Sequence, residues 1–373
     1  MKTRRCPLEC DHLEARTLLS GSPGHVGAFL HAHAHVPTAR PAHVAPPAAR
    51  VMTAGPVTGG GLVNVPNAPA VADVTALQVA ASDNNLVLFL SQFEALSGSN
   101  PATQQLALSI LNDARNVDMA LDGFAGGLAV TLPGNITGNN QALAQQMIAA
   151  ARGGNVDQAF SSLIVQAEAN LVTQLQQLSA GAQGASIRTF ATGLVPTAQA
   201  DLAAAQGTGT IAPVGTSPSS DTLSASDLNT LATYYAINVM ERFLGQITVL
   251  VTNRSSLALY SAKLIGDHEQ GALALGGYAA STATYLPAAI PSSAAPMASS
   301  VVAALRKVRP RNTARYDRTY LSQMIMGHTD ALKLTAQVIA TTQNPTLKQF
   351  ALNVQPTIAM HLLAAKALMR GLN

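Results

Sequence analysis

Residues Ala314 to Asn373 read ARYDRTYLSQMIMGHTDALKLTAQVIATTQNPTLKQFALNVQPTIAMHLLAAKALMRGLN, and this stretch decides the fold. Leu321, Met324, Ile325, Leu332 and Ile339 recur at helical spacing in its first half. Leu347, Phe350, Val354, Ile358, Leu362, Ala365 and Leu368 do so in the second. Between them lies Thr341-Thr342-Gln343-Asn344-Pro345, with Pro345 suited to the first turn of a new helix. The stretch therefore reads as two helices folded back on each other. His328 falls on the first apolar stripe and His361 on the second, so both imidazoles are expected to point inward. Counted from Asn344, His328 lies sixteen residues back and His361 seventeen forward, which sets them side by side in an antiparallel hairpin.

Working outward, the chain repeats itself. Leu111-Asn112-Asp113-Ala114, Gly123-Phe124-Ala125 and Leu132-Pro133 match Ile265-Gly266-Asp267-His268, Gly277-Tyr278-Ala279 and Leu286-Pro287 at a constant offset of 154. Val156-Asp157 matches Tyr316-Asp317, Phe190 matches Phe350, Pro196 matches Pro356 and Asp201 matches His361 at an offset of 160. Each copy carries four long helical stretches, near 73–97, 101–129, 155–180 and 184–206, then near 225–252, 255–283, 313–341 and 345–371. Short turns join the first helix to the second and the third to the fourth. The long connection between the second and third holds a short helical piece, Gln141 to Arg152 or Ala298 to Arg309. The fold class expected is all-α, two tandem four-helix bundles each with one elaborated crossing.

In the second copy His268 lies on a stripe with Leu257, Ser261, Leu264, Ala272 and Leu275. Glu241 shares a less clean one with Tyr234, Ile237, Leu244, Thr248 and Val251. If both short turns sit at one end of the bundle, Glu241 and His268 lie ~20 Å below it and His328 and His361 ~24 Å, at 1.5 Å per residue. One residue from each helix then meets in one layer. A carboxylate and three imidazoles suit a transition metal ion, Zn, Fe, Mn or Cu, better than Ca or Mg. The alternative is that the histidines only pack, satisfied by neighbouring hydroxyls, with Glu241 half exposed.

At the corresponding positions the first copy has Val87, Ala114, Glu168 and Asp201. Its two acids read as solvated groups, or as partners for Arg115, Arg188 or a cation. Residues common to both copies, Asp113/Asp267, Asp157/Asp317, Phe190/Phe350 and Pro196/Pro356, read as architecture. Asp317 lies eleven residues, ~16 Å, from His328, too far to share an ion with it.

Composition narrows the function. Charged residues make up 11% of the 373, Trp is absent and the net charge is +3, so a general nucleic-acid binder is not expected. No apolar run is long enough to span a membrane. The basic run Arg306-Lys307-Val308-Arg309-Pro310-Arg311, with Arg315 and Arg318, reads either as a solvated loop or as a grip for an anionic envelope component. No Gly-x-Ser-x-Gly, phosphate-binding Gly loop or nucleophilic Cys setting appears in the helical regions.

Residues 1–20 contain Leu8-Glu9 and His12-Leu13-Glu14-Ala15-Arg16-Thr17-Leu18-Leu19-Ser20 after a basic start. They resemble the export segment of planctomycete proteins, which implies an extracytoplasmic location. Cys6 and Cys10, the only cysteines, lie within it and read as a disulfide or two idle thiols. Residues 21–71, rich in Pro, Gly, Ala and His, read as disordered linker, in which His31, His33 and His35 can chelate a metal adventitiously. The organisation expected is then a bundle over 72–206, a linker over 207–223 and a second bundle over 224–373.

Tyr316-Asp317-x-x-Tyr320, Met324-Ile325-Met326-Gly327-His328, Leu347-Lys348-Gln349-Phe350-Ala351, Pro356, His361-Leu362-Leu363 and Asp267-His268 together resemble the domain of unknown function 4142 family. The resemblance covers residues 225–373, and the first copy resembles the family without its histidines. It implies an exported bacterial protein with a ferritin-like bundle. It does not imply ferroxidase chemistry, because no Glu-x-x-His pair occurs in either bundle. Two functions remain open: a non-enzymatic envelope-associated bundle that binds a metal or small ligand between Glu241, His268, His328 and His361, and a purely structural or interaction module.

Overall fold

The computed structural model describes residues 69–372 apart from 212, 216 and 309–311. The export-like segment, Cys6, Cys10, the histidine-rich tract and Arg309–Arg311 therefore lie outside the described residues. Ten helices are present among the rest: α1 Val71–Ser97, α2 Pro101–Gly127, α3 Asn140–Gly153, α4 Val156–Gly181 and α5 Ala185–Ala205, then α6 Ala225–Val251, α7 Ser255–Ser281, α8 Ala295–Leu305, α9 Ala314–Thr341 and α10 Pro345–Arg370. The fold is all-α and tandem; a single bridge, Ser219 to Tyr285, is the only extended pairing described.

Local chemistry sets the helix starts. Asn344 Oδ1 accepts from the backbone N–H groups of Thr346 and Leu347 at 3.1 Å each, with Pro345 in the first turn where no donor is needed. Ser224 caps α6 by accepting from Asp227 N–H at 3.1 Å. Both α5 and α10 run unbroken through an internal proline, Pro196 and Pro356.

The two short turns of each copy lie at opposite ends of the bundle, which corrects the premise that they share one. The turn after α6 sits by the start of α9: Thr313 donates to Asn253 Oδ1 at 2.9 Å, and Arg254 stands 3.4 Å from Asp317. The turn after α9 sits by the start of α6, where Thr342 donates to Asp227 at 3.0 Å. In the first copy Asp157, opening α4, accepts from the N–H groups of Ser99 and Asn100, and Asp73, opening α1, accepts from those of Gln183 and Gly184. An acid at the start of the first and third helices thus ties down the opposite turn in both copies. α6 runs up, α7 and α9 run down and α10 runs up, so the connection from α7 to α9 must climb the whole bundle. That is why it is long and why it contains α8.

The shared layer survives the correction because its residues lie mid-helix. Glu241 is sixteen residues, ~24 Å, from the start of α6, and His361 the same from the start of α10. His268 and His328 are thirteen residues, ~20 Å, from the ends of α7 and α9. Counting from either end gives one layer to within a turn.

The copies pack against each other through matched surfaces. Phe89 meets Phe243, its own equivalent, with ring centroids 5.7 Å apart. Arg115 stands 3.8 Å from Glu269, also its equivalent. Gln92 accepts from Ile290 N–H, in the other copy's long connection, at 3.3 Å, while Gln246 donates to Gly134 O, in the reciprocal connection, at 3.2 Å. Such reciprocity is the signature of an approximate two-fold relation. It explains why α1 is buried without a break from Ala80 to Glu94, and why the Glu241 stripe on α6 is poorly defined: α1 and α6 each bury two faces.

Candidate metal centre

Four side chains meet in the second copy. Glu241 is 0% exposed, His328 1%, His361 3% and His268 7%. Glu241 is thus fully buried and not half exposed. Its Oε2 stands 2.7 Å from His268 Nε2 and 3.1 Å from His328 Nε2. His328 Nε2 stands 3.3 Å from His361 Nδ1. One nitrogen from each histidine lies within 4.8 Å of those from the other two.

The outer nitrogens fix how the rings face. His328 Nδ1–H donates to Met324 O at 2.7 Å. His268 Nδ1–H donates to Asn238 Oδ1 at 3.0 Å, because the Asn238 amide nitrogen is already committed to Tyr234 O at 2.7 Å. His361 Nε2–H donates to Asp267 Oδ2 at 2.7 Å, and Asp267 also meets Lys263 at 2.8 Å. A neutral imidazole has one N–H, so each inner nitrogen is left with a lone pair. His268 Nε2, His328 Nε2, His361 Nδ1 and Glu241 then face one another with no hydrogen between them. Neither Glu241 oxygen has a hydrogen-bond donor.

Such a face calls for positive charge at its centre. Burial pushes the Glu241 carboxyl up, and only positive charge beside it, as protons on the His328 and His268 rings would bring, outweighs burial and takes it down to about 2; with those rings neutral, a cation at the centre has to supply that charge. Burial holds the His361 imidazole below its ordinary value, against the pull of Asp267, and so keeps it neutral and able to ligate. Three nitrogens and a carboxylate match the donor set of Zn, Fe, Mn and Cu.

Two glycines allow the close approach. A Cβ on Gly271 would stand 2.3 Å from Asn238 Oδ1, displacing the group that orients His268. A Cβ on Gly327 would stand 3.3 Å from Glu241 Oε1, beside Met297 of α8. Sequence reasoning missed Asn238, Asp267, Gly271 and Gly327 as parts of the site. A signal existed for two of them: Asn84/Asn238 and Asp113/Asp267 recur in both copies, and Asp267 directly precedes His268.

At the equivalent level of the first copy, Val87 and Ala114 are buried. Glu168 and Asp201 are buried too, at 1% and 7% exposure, and are therefore not the solvated acids expected. Neither anticipated arginine pairs with them: Arg188 donates to the carbonyls of Ala182 and Gln183, and Arg115 to Asp118.

A second acidic group, Asp118, Asp122 and Glu269, lies between the copies. Arg242 Nη1 meets Asp118 at 3.0 Å, Arg242 also contacts Glu269 and Asn85, and Arg115 meets Asp118 at 2.6 Å. Two guanidiniums already supply its counter-charge, so it reads as an interface lock. Of the basic run, Arg306, Lys307, Arg315 and Arg318 are exposed.

Fold and site together define an all-α tandem bundle with, among the described residues, one buried Glu/His cluster, in the second copy. The chain belongs to the family described as Domain of unknown function (DUF4142), whose sequence pattern matches residues 63–208 and again 212–368. No curated protein and no solved structure matches it. No described helix is long and apolar enough to cross a membrane.

Proposed function

We propose that the second copy holds one first-row transition metal ion between Glu241, His268 Nε2, His328 Nε2 and His361 Nδ1, and that the protein performs this task outside the cytoplasm. The observation that carries the reading is the direction of the three ring N–H groups. The outer nitrogen of each ring meets an acceptor, on Asn238, Met324 or Asp267, which turns the N–H of a neutral ring away from the centre, and His268 Nε2 and both Glu241 oxygens are left buried without a partner. Outward acceptors of this kind fix the tautomer and raise the basicity of metal-ligating histidines. Three histidines in a buried place, with Glu241 beside two of them, leave little room for a substrate on the ion, which suits holding a metal more than presenting it. The role is therefore binding, without a reaction. Export is supported by the resemblance of residues 1–20 to an export segment.

The test uses the full chain with His25, His31, His33, His35 and His43 changed to serine, so that the N-terminal tract contributes nothing. After dialysis, elemental analysis is expected to find one metal ion per chain, and Co2+ to give a ligand-field spectrum of nitrogen and oxygen coordination. With His268, His328 and His361 all changed to alanine, both signals should vanish. Equal, near-zero metal in the two proteins would leave the cluster as packing alone.

A further inference from the structure

We propose that His361 and Asp267 form the door of the histidine cluster: His361 is the ligand that swings to let an ion in or out, and Asp267 is the catch that holds it shut. The door rests on the reading of the cluster as a metal site, since without an ion it has nothing to admit. Glu241, His268, His328 and His361 are all buried. An ion therefore reaches the space between them only if one of these side chains moves.

The way the rings are held decides which one moves. α6 packs chiefly on α7, and α9 on α10, so Glu241 and His268 come from one hairpin and His328 and His361 from the other. His328 is held by Met324 O, one turn back on its own helix and buried. His268 is held by Asn238, which is buried and itself fixed to Tyr234 O. Of the three outward acceptors only Asp267 is open to water, its side chain 28% exposed, and it reaches His361 across the seam between α7 and α10 at 2.7 Å. Lys263, one turn back along α7 and 42% exposed, props Asp267 at 2.8 Å. Water can replace the bonds of so exposed a catch at small cost, whereas breaking either of the other two leaves a buried acceptor without a donor. The backbone need not yield, because Tyr260 donates to His361 O at 3.3 Å across the same seam and pins α10 there. Rotation about the side-chain bonds of His361 is enough. The first copy, which has no ring to hold at this place, also lacks the prop: Lys263 corresponds to Ser109, a buried residue.

Two measurements separate movement of the ring from affinity for the ion. In the metal-free full chain, modification of imidazoles by diethyl pyrocarbonate, mapped residue by residue by mass spectrometry, is expected to reach His361 before His268 and His328. Asp267→Ala should speed the reaction at His361 about 10-fold and leave His328 as it was. Lys263→Met, at an exposed position, should speed it about 2-fold and serves alone should Asp267→Ala fail to fold. In the Zn2+-loaded chain, transfer of the ion to a chelator should quicken in the same order. A residue that only orients the ring would weaken Zn2+ binding when removed without raising the reactivity of His361. Equal reactivity of His361 in the wild-type chain and the folded variants would overturn the proposal, as would His268 or His328 reacting first. A wild-type chain that takes up no metal at equilibrium would remove the site, and the door with it.

Discussion

The two copies share a frame and differ at its centre. Asp73 and Asp227, Asp157 and Asp317, and Asn84 and Asn238 stand in matched places, and each aspartate ties a turn to a helix start. At mid-height the second copy has Glu241, His268, His328 and His361 where the first has Val87, Ala114, Glu168 and Asp201. A bundle of this kind therefore folds with either set, and its stability resides in the ties and the packing. The histidines are free to serve a ligand. The acids of the first copy, buried without counter-charge, weaken the frame that holds them.

Four measurements press on that contrast. The largest effect is expected between the copies. Arg242→Met strips a buried counter-charge from Asp118 and Glu269 and should cost about 3–5 kcal/mol by chemical denaturation. A loss under ~1 kcal/mol would mean that the lock does not join the halves.

The next effect depends on pH. Asp201 has a folded pKa raised to about 8 from an ordinary 3.8, so between these values the folded chain keeps a proton that the unfolded chain has released. Stability from this group is whole below pH ~4 and declines as pH rises through 8. Asp201→Asn should therefore stabilise by on the order of 2 kcal/mol at pH 8 and by almost nothing at pH 4. His361 has the opposite sign. Its folded pKa is depressed below 6.5, so its contribution is present above that pH and lost as pH falls. Denaturation curves at pH 4, 6 and 8 would separate the two copies.

A smaller change is expected from Asn238→Ala, which releases the His268 ring: about 10-fold weaker metal binding with the fold intact. Gly271→Ala should do the same by pushing Asn238 aside. Unaltered affinity in both would show that His268 needs no outward acceptor. The smallest difference concerns the ties. Asp73 accepts from two backbone N–H groups, which have no other partner there, and Asp227 from the hydroxyls of Thr342 and Ser224, which can turn to water, so Asp73→Asn should cost about 1 kcal/mol more than Asp227→Asn.

The helices were legible because each long element keeps an apolar stripe, and the duplication was legible because its offset is constant over long runs. The bundle's sense of direction was not. Residues near mid-helix give the same depth counted from either end, so Glu241 and His361 reach one layer under a wrong premise as readily as under the right one. The inter-copy face was hidden for a different reason. An unbroken apolar run such as Leu86 to Leu90 shows that two sides are covered without saying by what. Asp267 and Asn238 escaped because their work is to orient a ring, and orientation leaves no periodicity. Glu168 and Asp201 escaped because acidic residues on a helix are ordinarily solvated, and only the packed bundle shows these two closed in.

The reciprocal bonds of Gln92 and Gln246 have a consequence for how the chain can be connected. Each half presents to the other the surface that it receives, so the order in which the halves are encoded is immaterial to the joint between them. A permuted chain starting at α6 and ending at α5, its segments rejoined by a flexible tether, should fold to the same molecule. By the same reasoning, two chains with the 207–223 connection shortened until it cannot fold back should exchange halves, and the product would be a dimer that grows with concentration.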